Sequence, residues 1–182
     1  MSEALEQADD APPRTARHGD EAKNVAGYAV TIDRPRGELW AFWRDFSNLG
    51  RFMANIERID VLDERRSHWV VKAPADARVE WDAVVTDERE GEYIAWTSEN
   101  ADVPNAGRVE FRDNGDKGTI VSATIHYDPP AGIIGKAVAK LTGREPNVQA
   151  RHDLKRFKML METGEVATNA TNRARDASQE KY

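Results

Sequence analysis

The residues able to do acid–base or metal chemistry are few and scattered in this chain. The four histidines, His18, His68, His126 and His152, fall on separate segments. None has a second histidine at the four-residue spacing that sets two imidazoles on one helix face for a metal. Glu80 and Asp82 stand two apart in an alternating segment, which places both carboxylates on one strand face and would suit an acid/base pair. Trp81 between them points the other way, so the pair reads instead as a solvated charged face that meets its neighbours across strands. Alternation with Trp69 and Tyr127 puts His68 and His126 on the same wet face. Cysteine is missing altogether, which removes thiolate catalysis, disulfides and cysteine-ligated zinc or iron–sulfur clusters. The sequence contains no glycine-rich phosphate loop and no G-x-S-x-G elbow. It therefore offers no catalytic residue, and neither a cofactor nor a metal is expected. Three polar side chains remain as candidate ligand contacts. Ser98 and Tyr127 can face inward, and Asn105 sits in a loop leading into a strand, where turn chemistry is the alternative role.

Aromatic surface, by contrast, is concentrated. Residues 34–53, RPRGELWAFWRDFSNLGRFM, hold two Trp, three Phe and a Met. Pro35 suits the first turn of a helix, with Asp33 or Arg34 near the N-cap position. Leu39, Trp40, Phe42, Trp43 and Phe46 then cover an arc of roughly 160° on a helical wheel. Ser47 is placed to cap a second short helix carrying Leu49, Phe52 and Met53.

These helices must be positioned by a sheet. Val25–Asp33 alternates and reads as a strand, as do Ile56–Asp63, Ser67–Ala73, Arg78–Glu88, Tyr93–Ser98, Gly107–Asp113 and Thr119–Tyr127. Short connections between alternating strands predict an antiparallel meander with one wet face. Asp128-Pro129-Pro130 ends the sheet. Ile133, Ile134, Ala137, Val138 and Leu141 share one face of a short helix, which Gly143 and Pro146 interrupt. A longer helix over about Asn147–Gly164 has Leu154, Phe157, Leu160 and Met161 on its apolar face and Arg151, Lys155, Lys158 and Glu162 on its wet one.

The chain of 182 residues accommodates one folded domain with tails. Residues 1–23 and 167–182 carry few large apolar side chains and are expected to be disordered, which leaves a domain at 24–166. The net charge of −6 argues against nucleic acid as a partner. No run reaches the ~18 apolar residues of a membrane span, and the acidic N-terminus lacks the apolar core of a secretory signal. A cytoplasmic protein is the expectation.

The element order has a consequence for function. A helix is about 10–12 Å wide, too narrow to fill the concavity of a curved sheet of six or seven strands. The remaining space is filled by large side chains or left as a cavity. Its expected lining is Trp43, Phe52, Met53, Trp69, Trp81, Trp96, Phe111, Ile125, Phe157 and Met161.

The segments IDRPRGELWAFWRDFSNLGRFM, WVVKAP, VEWDAVVTDEREGEYIAW, DVPNAGRVEF, YDPPAG and LKRFKMLMETGE together resemble the START-like, helix-grip superfamily, in its bacterial polyketide cyclase/dehydrase-like branch. The likeness spans about 24–165; Gly50 departs from it, standing where relatives often have Pro. It implies an α+β helix-grip fold, a curved antiparallel sheet wrapped on a long C-terminal helix with two short helices after the first strand. It also implies an internal cavity for a lipid, quinone or polyketide-like molecule. Binding of such a small hydrophobic molecule is the leading expectation. A polyketide cyclase/aromatase or dehydratase working in the same cavity is the enzymatic alternative, and an interaction module with a filled core is the third.

Overall fold

The computed structural model describes residues 25–72, 76–127 and 146–166. The chain forms β1 (Val25–Ile32), α1 (Arg36–Arg44), a 3-10 turn (Phe46–Arg51), β2 (Ile56–Val61), β3 (Arg66–Lys72), β4 (Arg78–Arg89), β5 (Tyr93–Glu99), β6 (Asn105–Asp113), a short 3-10 turn (Gly115–Lys117), β7 (Thr119–Tyr127) and α2 (Pro146–Thr163). The tails, and the short helix expected across Ile133–Leu141, lie outside the described residues. Among the described residues no helix is long and apolar enough to cross a membrane.

The seven strands make one antiparallel sheet in the order β1-β7-β6-β5-β4-β3-β2. Strands β2 to β7 form the meander that their short connections require, and β1 pairs with β7 rather than with its sequence neighbour. The chain therefore leaves β1 at one edge and enters β2 at the other, so α1 and the first 3-10 turn must cross the whole sheet.

Register fixes which side chains share the concave face. Ile32 stands opposite Thr119, Val30 opposite Val121 and Tyr28 opposite Ala123. The row continues through Phe111, Val109 and Gly107 on β6, Ile94 and Trp96 on β5, and Val85, Ala83 and Trp81 on β4. It ends with Ser67 and Trp69 on β3. A bulge between Val85 and Asp87 shifts the alternation at the end of β4 and turns Glu88 toward α1, where its carboxylate accepts a bond from Arg44 Nε at 2.5 Å. The same guanidinium donates to the Glu64 carbonyl at 2.6 Å, so the end of α1 is tied at once to β4 and to the β2–β3 turn.

Helix α2 runs along β1 with Leu154, Phe157 and Leu160 buried. The C-terminal end of α2 is fastened to the β1–α1 corner. Glu162 Oε1 accepts the Asp33 N–H at 2.8 Å, and Arg34 Nη2 donates to the Glu162 carbonyl at 3.1 Å. Gly164, at φ 80°, closes the helix with its N–H on the Leu160 carbonyl.

Local chemistry moves several boundaries from their sequence expectations. The N-cap of α1 is Pro35, which has no side-chain acceptor to offer, and Asp33 falls two residues before it. Asp45, not Ser47, caps the 3-10 turn, accepting from the Ser47 N–H at 3.2 Å. Asp63 leaves β2 because its carboxylate accepts the N–H groups of Arg65 and Arg66 at 2.7 and 2.8 Å, which makes a turn. Asn105 and Ala106 belong to β6, not to the preceding loop, since they pair with Tyr127 and His126.

Gly118 is the glycine this packing cannot replace. Its φ is 83°, and a Cβ there would lie 2.2 Å from the Ile32 carbonyl oxygen. Gly118→Ala should lower unfolding free energy by about 2 kcal/mol or more, measured by urea denaturation. A loss below about 0.5 kcal/mol, the usual effect of a neutral surface change, would show that the β6–β7 turn does not pack on β1 as described.

Candidate ligand-binding site

The concave face is unequal from end to end. Near α1, the ring cluster is sealed. Trp43 meets Phe52 at 5.2 Å between centroids, Phe157 at 5.1 Å and Phe111 at 6.2 Å. Phe52 lies 4.7 Å from Phe157. Trp43 is buried, and Phe52, Phe111 and Phe157 are each at most 1% exposed. The edge-on geometry of Trp43 against Phe157, with planes 87° apart, is the favourable arrangement of two ring quadrupoles. These four predicted lining residues thus form one packed layer, brought together by α1, the 3-10 turn, β6 and α2.

Toward the other end, side chains on the same face are only half-buried. Trp69 and Trp81 stand directly opposite on β3 and β4 and stack at 5.7 Å with planes 21° apart. Trp69 Nε1 donates at 2.8 Å to the hydroxyl of fully buried Ser67, which fixes the ring and satisfies both polar groups. Trp96 stands opposite Gly107, and its ring occupies the space that a side chain at 107 would need: a Cβ there would come within 2.2 Å of it. Ile125 follows on β7, across from Gly107. Met53 after the 3-10 turn and Met161 on α2 pack against the core without being fully buried.

The candidate polar contacts gather at this half-buried end. Ser98 pairs with Ala83 and shares its face, and Asn105 stands opposite Tyr127. The Ser98 hydroxyl accepts the Asn105 N–H at 2.8 Å, while Asn105 Nδ2 donates to the Val103 carbonyl at 3.1 Å. The amide of Asn105 thus shapes its own turn, and its Oδ1 has no hydrogen bond among the described residues.

The acid–base candidates lie elsewhere. His68 Nδ1 is 2.8 Å from Asp82 on the convex face, and Nε2 is 3.6 Å from Glu80. Asn100 donates to the second Asp82 oxygen at 3.0 Å. These bonds, that of Asn100 first and His68 next, hold the Asp82 carboxyl below its ordinary value. The pair Glu80 and Asp82 is a cross-strand charge ladder, as alternation predicts. Among the described residues no group of three or more metal-ligating side chains occurs.

Two features escape sequence reading. Gly107 matters because of the strand opposite, which only the register reveals. Asp153, on the flank of α2, is the other. Both its oxygens accept from Gln149 Nε2, at 2.9 and 3.0 Å, and it also receives a bond from the backbone of Ala54. Burial raises its pKa above 3.8, outweighing these hydrogen bonds and the nearby charge of Arg156. The only signal in the sequence was a carboxylate one residue before Leu154 of the apolar face.

A raised acid pKa means that the folded state holds the proton more tightly than the unfolded chain. The contribution of Asp153 to stability therefore declines as pH rises from 3.8 through its raised value. A carboxyl-detected NMR titration should find its midpoint above 3.8. A midpoint at or below that value would contradict the burial of this side chain.

With this geometry in hand, the chain can be set beside known proteins. Residues 32–155 match the family model described as polyketide cyclase / dehydrase and lipid transport. An uncharacterized 17.2 kDa protein of Streptomyces lincolnensis is 29% identical over 134 residues, which cover 74% of this chain and 87% of that one. A Deinococcus radiodurans protein of known crystal structure is 38% identical, with coverage of 77% of this chain and 98% of that one and a TM-score of 0.61. The Zhui aromatase/cyclase of a Streptomyces shares the fold at 13% identity, with coverage of 79% and 98% and a TM-score of 0.62. A START superfamily protein of Mycobacterium smegmatis does so at 14%, with coverage of 71% and 93% and a TM-score of 0.59. The fold is helix-grip, and the chain belongs to the polyketide cyclase/dehydrase and lipid transport family.

Proposed function

We propose that the protein binds a small hydrophobic molecule, of the lipid, quinone or polyketide class, between the concave face of the sheet and α2. The observation that carries this reading is the gradient of burial along that face. The rings of Trp43, Phe52, Phe111 and Phe157 form a closed floor, and Trp69, Trp81, Trp96 and Ile125 remain half-buried at the other end. An apolar guest entering there would cover indole surface that now meets water. Burying about 300 Å² of ligand at ~25 cal/mol per Å² contributes about 7.5 kcal/mol, part of which the lost freedom of the ligand cancels. Ser98, Asn105 and Tyr127 stand where polar groups would orient the guest, a pattern common to apolar pockets.

The enzymatic reading, cyclisation or dehydration in the same space, draws on the family description. It ranks second because the strands of the half-buried end place no carboxylate or imidazole on the concave face among the described residues, and the buried carboxyl of α2, Asp153, is engaged with Gln149 and the Ala54 backbone.

Native mass spectrometry of protein purified from its own host should show a lipid, quinone or polyketide retained at near-stoichiometric level. Protein that is consistently empty, and whose melting temperature does not move across a hydrophobic library, would overturn the proposal. Trp81→Ala should weaken a bound ligand about tenfold or more in calorimetry while the circular dichroism spectrum stays unchanged. Unaltered affinity would remove Trp81 from the site.

A further inference from the structure

The end of the sheet where α1 begins carries a second feature that the hydrophobic-ligand reading does not use. A depression of about 380 Å³ lies where β4, β5 and β6 approach the start of α1. Its lining sets Arg36, Arg89, Arg108 and Arg112 around Tyr93, together with Glu92, Glu110, Asp113 and Phe111. The register explains the grouping: Arg89 stands opposite Tyr93, and Tyr93 opposite Glu110, with Arg108 and Arg112 on either side of Glu110 along the same face of β6.

These four cations are not equivalent. Arg108 is held firmly, its guanidinium 3.6 Å from the centre of the Tyr93 ring and 2.9 Å from Glu110. Tyr93 is itself fixed by a bond of 2.8 Å from its hydroxyl to Asp87. Arg89 is paired with Glu92 at 3.2 Å. Arg36 and Arg112, in contrast, make no side-chain hydrogen bond or ion pair among the described residues, although much of this sheet face is built of paired charges. The carboxylates of the lining are already engaged, Glu92 with Arg89, Glu110 with Arg108 and Asp113 with the Gly115 N–H, which leaves two unpaired guanidinium groups beside a stacked third. Guanidinium groups match the oxygens of a phosphate group with paired, charge-assisted hydrogen bonds.

We propose that this depression is an anion site for a phosphate group, with Arg36 and Arg112 as the principal ligands and the Arg108–Tyr93 stack as its fixed wall. The phosphate can belong to a soluble molecule or to a lipid headgroup at a membrane surface, and the chemistry of recognition is shared. The site lies at the end of the sheet where α1 begins, away from the half-buried tryptophans, so it stands or falls independently of the hydrophobic-ligand reading.

The test uses the full chain. Inorganic phosphate and pyrophosphate are titrated into labelled protein and followed through backbone amide signals. Cosedimentation is measured with phosphatidylcholine vesicles with and without phosphatidic acid. The double variant Arg36→Ala/Arg112→Ala is compared with Arg58→Ala, which removes an arginine of β2 paired with Asp60 outside the depression. The expected result is movement of the Arg36, Tyr93 and Arg112 signals on adding phosphate or pyrophosphate, with affinity reduced about tenfold or more in the double variant and unchanged in Arg58→Ala. Cosedimentation that needs phosphatidic acid and is lost only in the double variant would assign the phosphate to a headgroup. No response to either soluble anion or to the acidic vesicles would overturn the proposal. Equal weakening by Arg58→Ala would overturn it too, by showing attraction to general surface charge.

Discussion

Everything in this molecule follows from one crossing. Because β1 pairs with β7 and β2 lies at the far edge, the twenty-odd residues between them must traverse the sheet. That traverse carries Leu39, Trp43, Phe46, Leu49 and Phe52, all buried; it delivers Trp43 and Phe52 to one end of the concave face and sets Phe46 6.2 Å from Trp69. At the sealed end Trp43 meets Phe157 from α2 and Phe111 from β6, and Phe52 meets Phe157. The interaction of these rings, each pair contributing about 0.5–1.5 kcal/mol beyond its buried area, shuts that end. No equivalent crossing segment exists among the described residues at the other end, where the tryptophans of β3, β4 and β5 keep part of their surface in water.

The two faces of the sheet do different work. On the concave side, polar groups are few and settled: Ser67 serves Trp69, and Thr119 donates to the Arg34 carbonyl at 2.8 Å. On the convex side, charges pair across strands, as Arg66 does with Glu99 and His68 with Asp82. Exposed pairs of this kind add little stability, but they keep the face wet and the register unambiguous, since a one-residue slip would turn this charge into the core. Edge strand β2 is guarded in the same way, with Arg58 and Asp60 along a strand whose end leaves Val61 more than half exposed.

Much of the architecture was readable from alternation alone. The expected strand Thr119–Tyr127 is β7 to the residue, and the opposed faces of Trp81 and of Glu80 with Asp82 on β4 follow from period two. The apolar stripe of α2 was plain because Leu154, Phe157 and Leu160 recur at helical spacing. What alternation could not supply was partnership. Gly107 reads only as the start of a strand, and it is the register that sets it under Trp96, where a glycine is what the ring requires. Asp33 reads as a helix cap, but α1 starts beyond it with Pro35 as N-cap, and the Asp33 N–H instead holds Glu162, 129 residues away. The ten residues expected to line a cavity were picked by type and face, and type does not distinguish a ring sealed on every side, such as Phe52, from one with a free edge, such as Trp81. That distinction depends on where α1 lands, which is a tertiary fact.

The burial gradient can be probed directly with a spin-labelled fatty acid and the indole N–H signals of the five tryptophans. Occupation of the half-buried end should broaden Trp69, Trp81 and Trp96 while sparing Trp40, whose Nε1 bonds the Tyr93 carbonyl away from that end. Broadening of all five alike, or of none, would contradict an interior that is sealed at one end and able to receive a guest at the other.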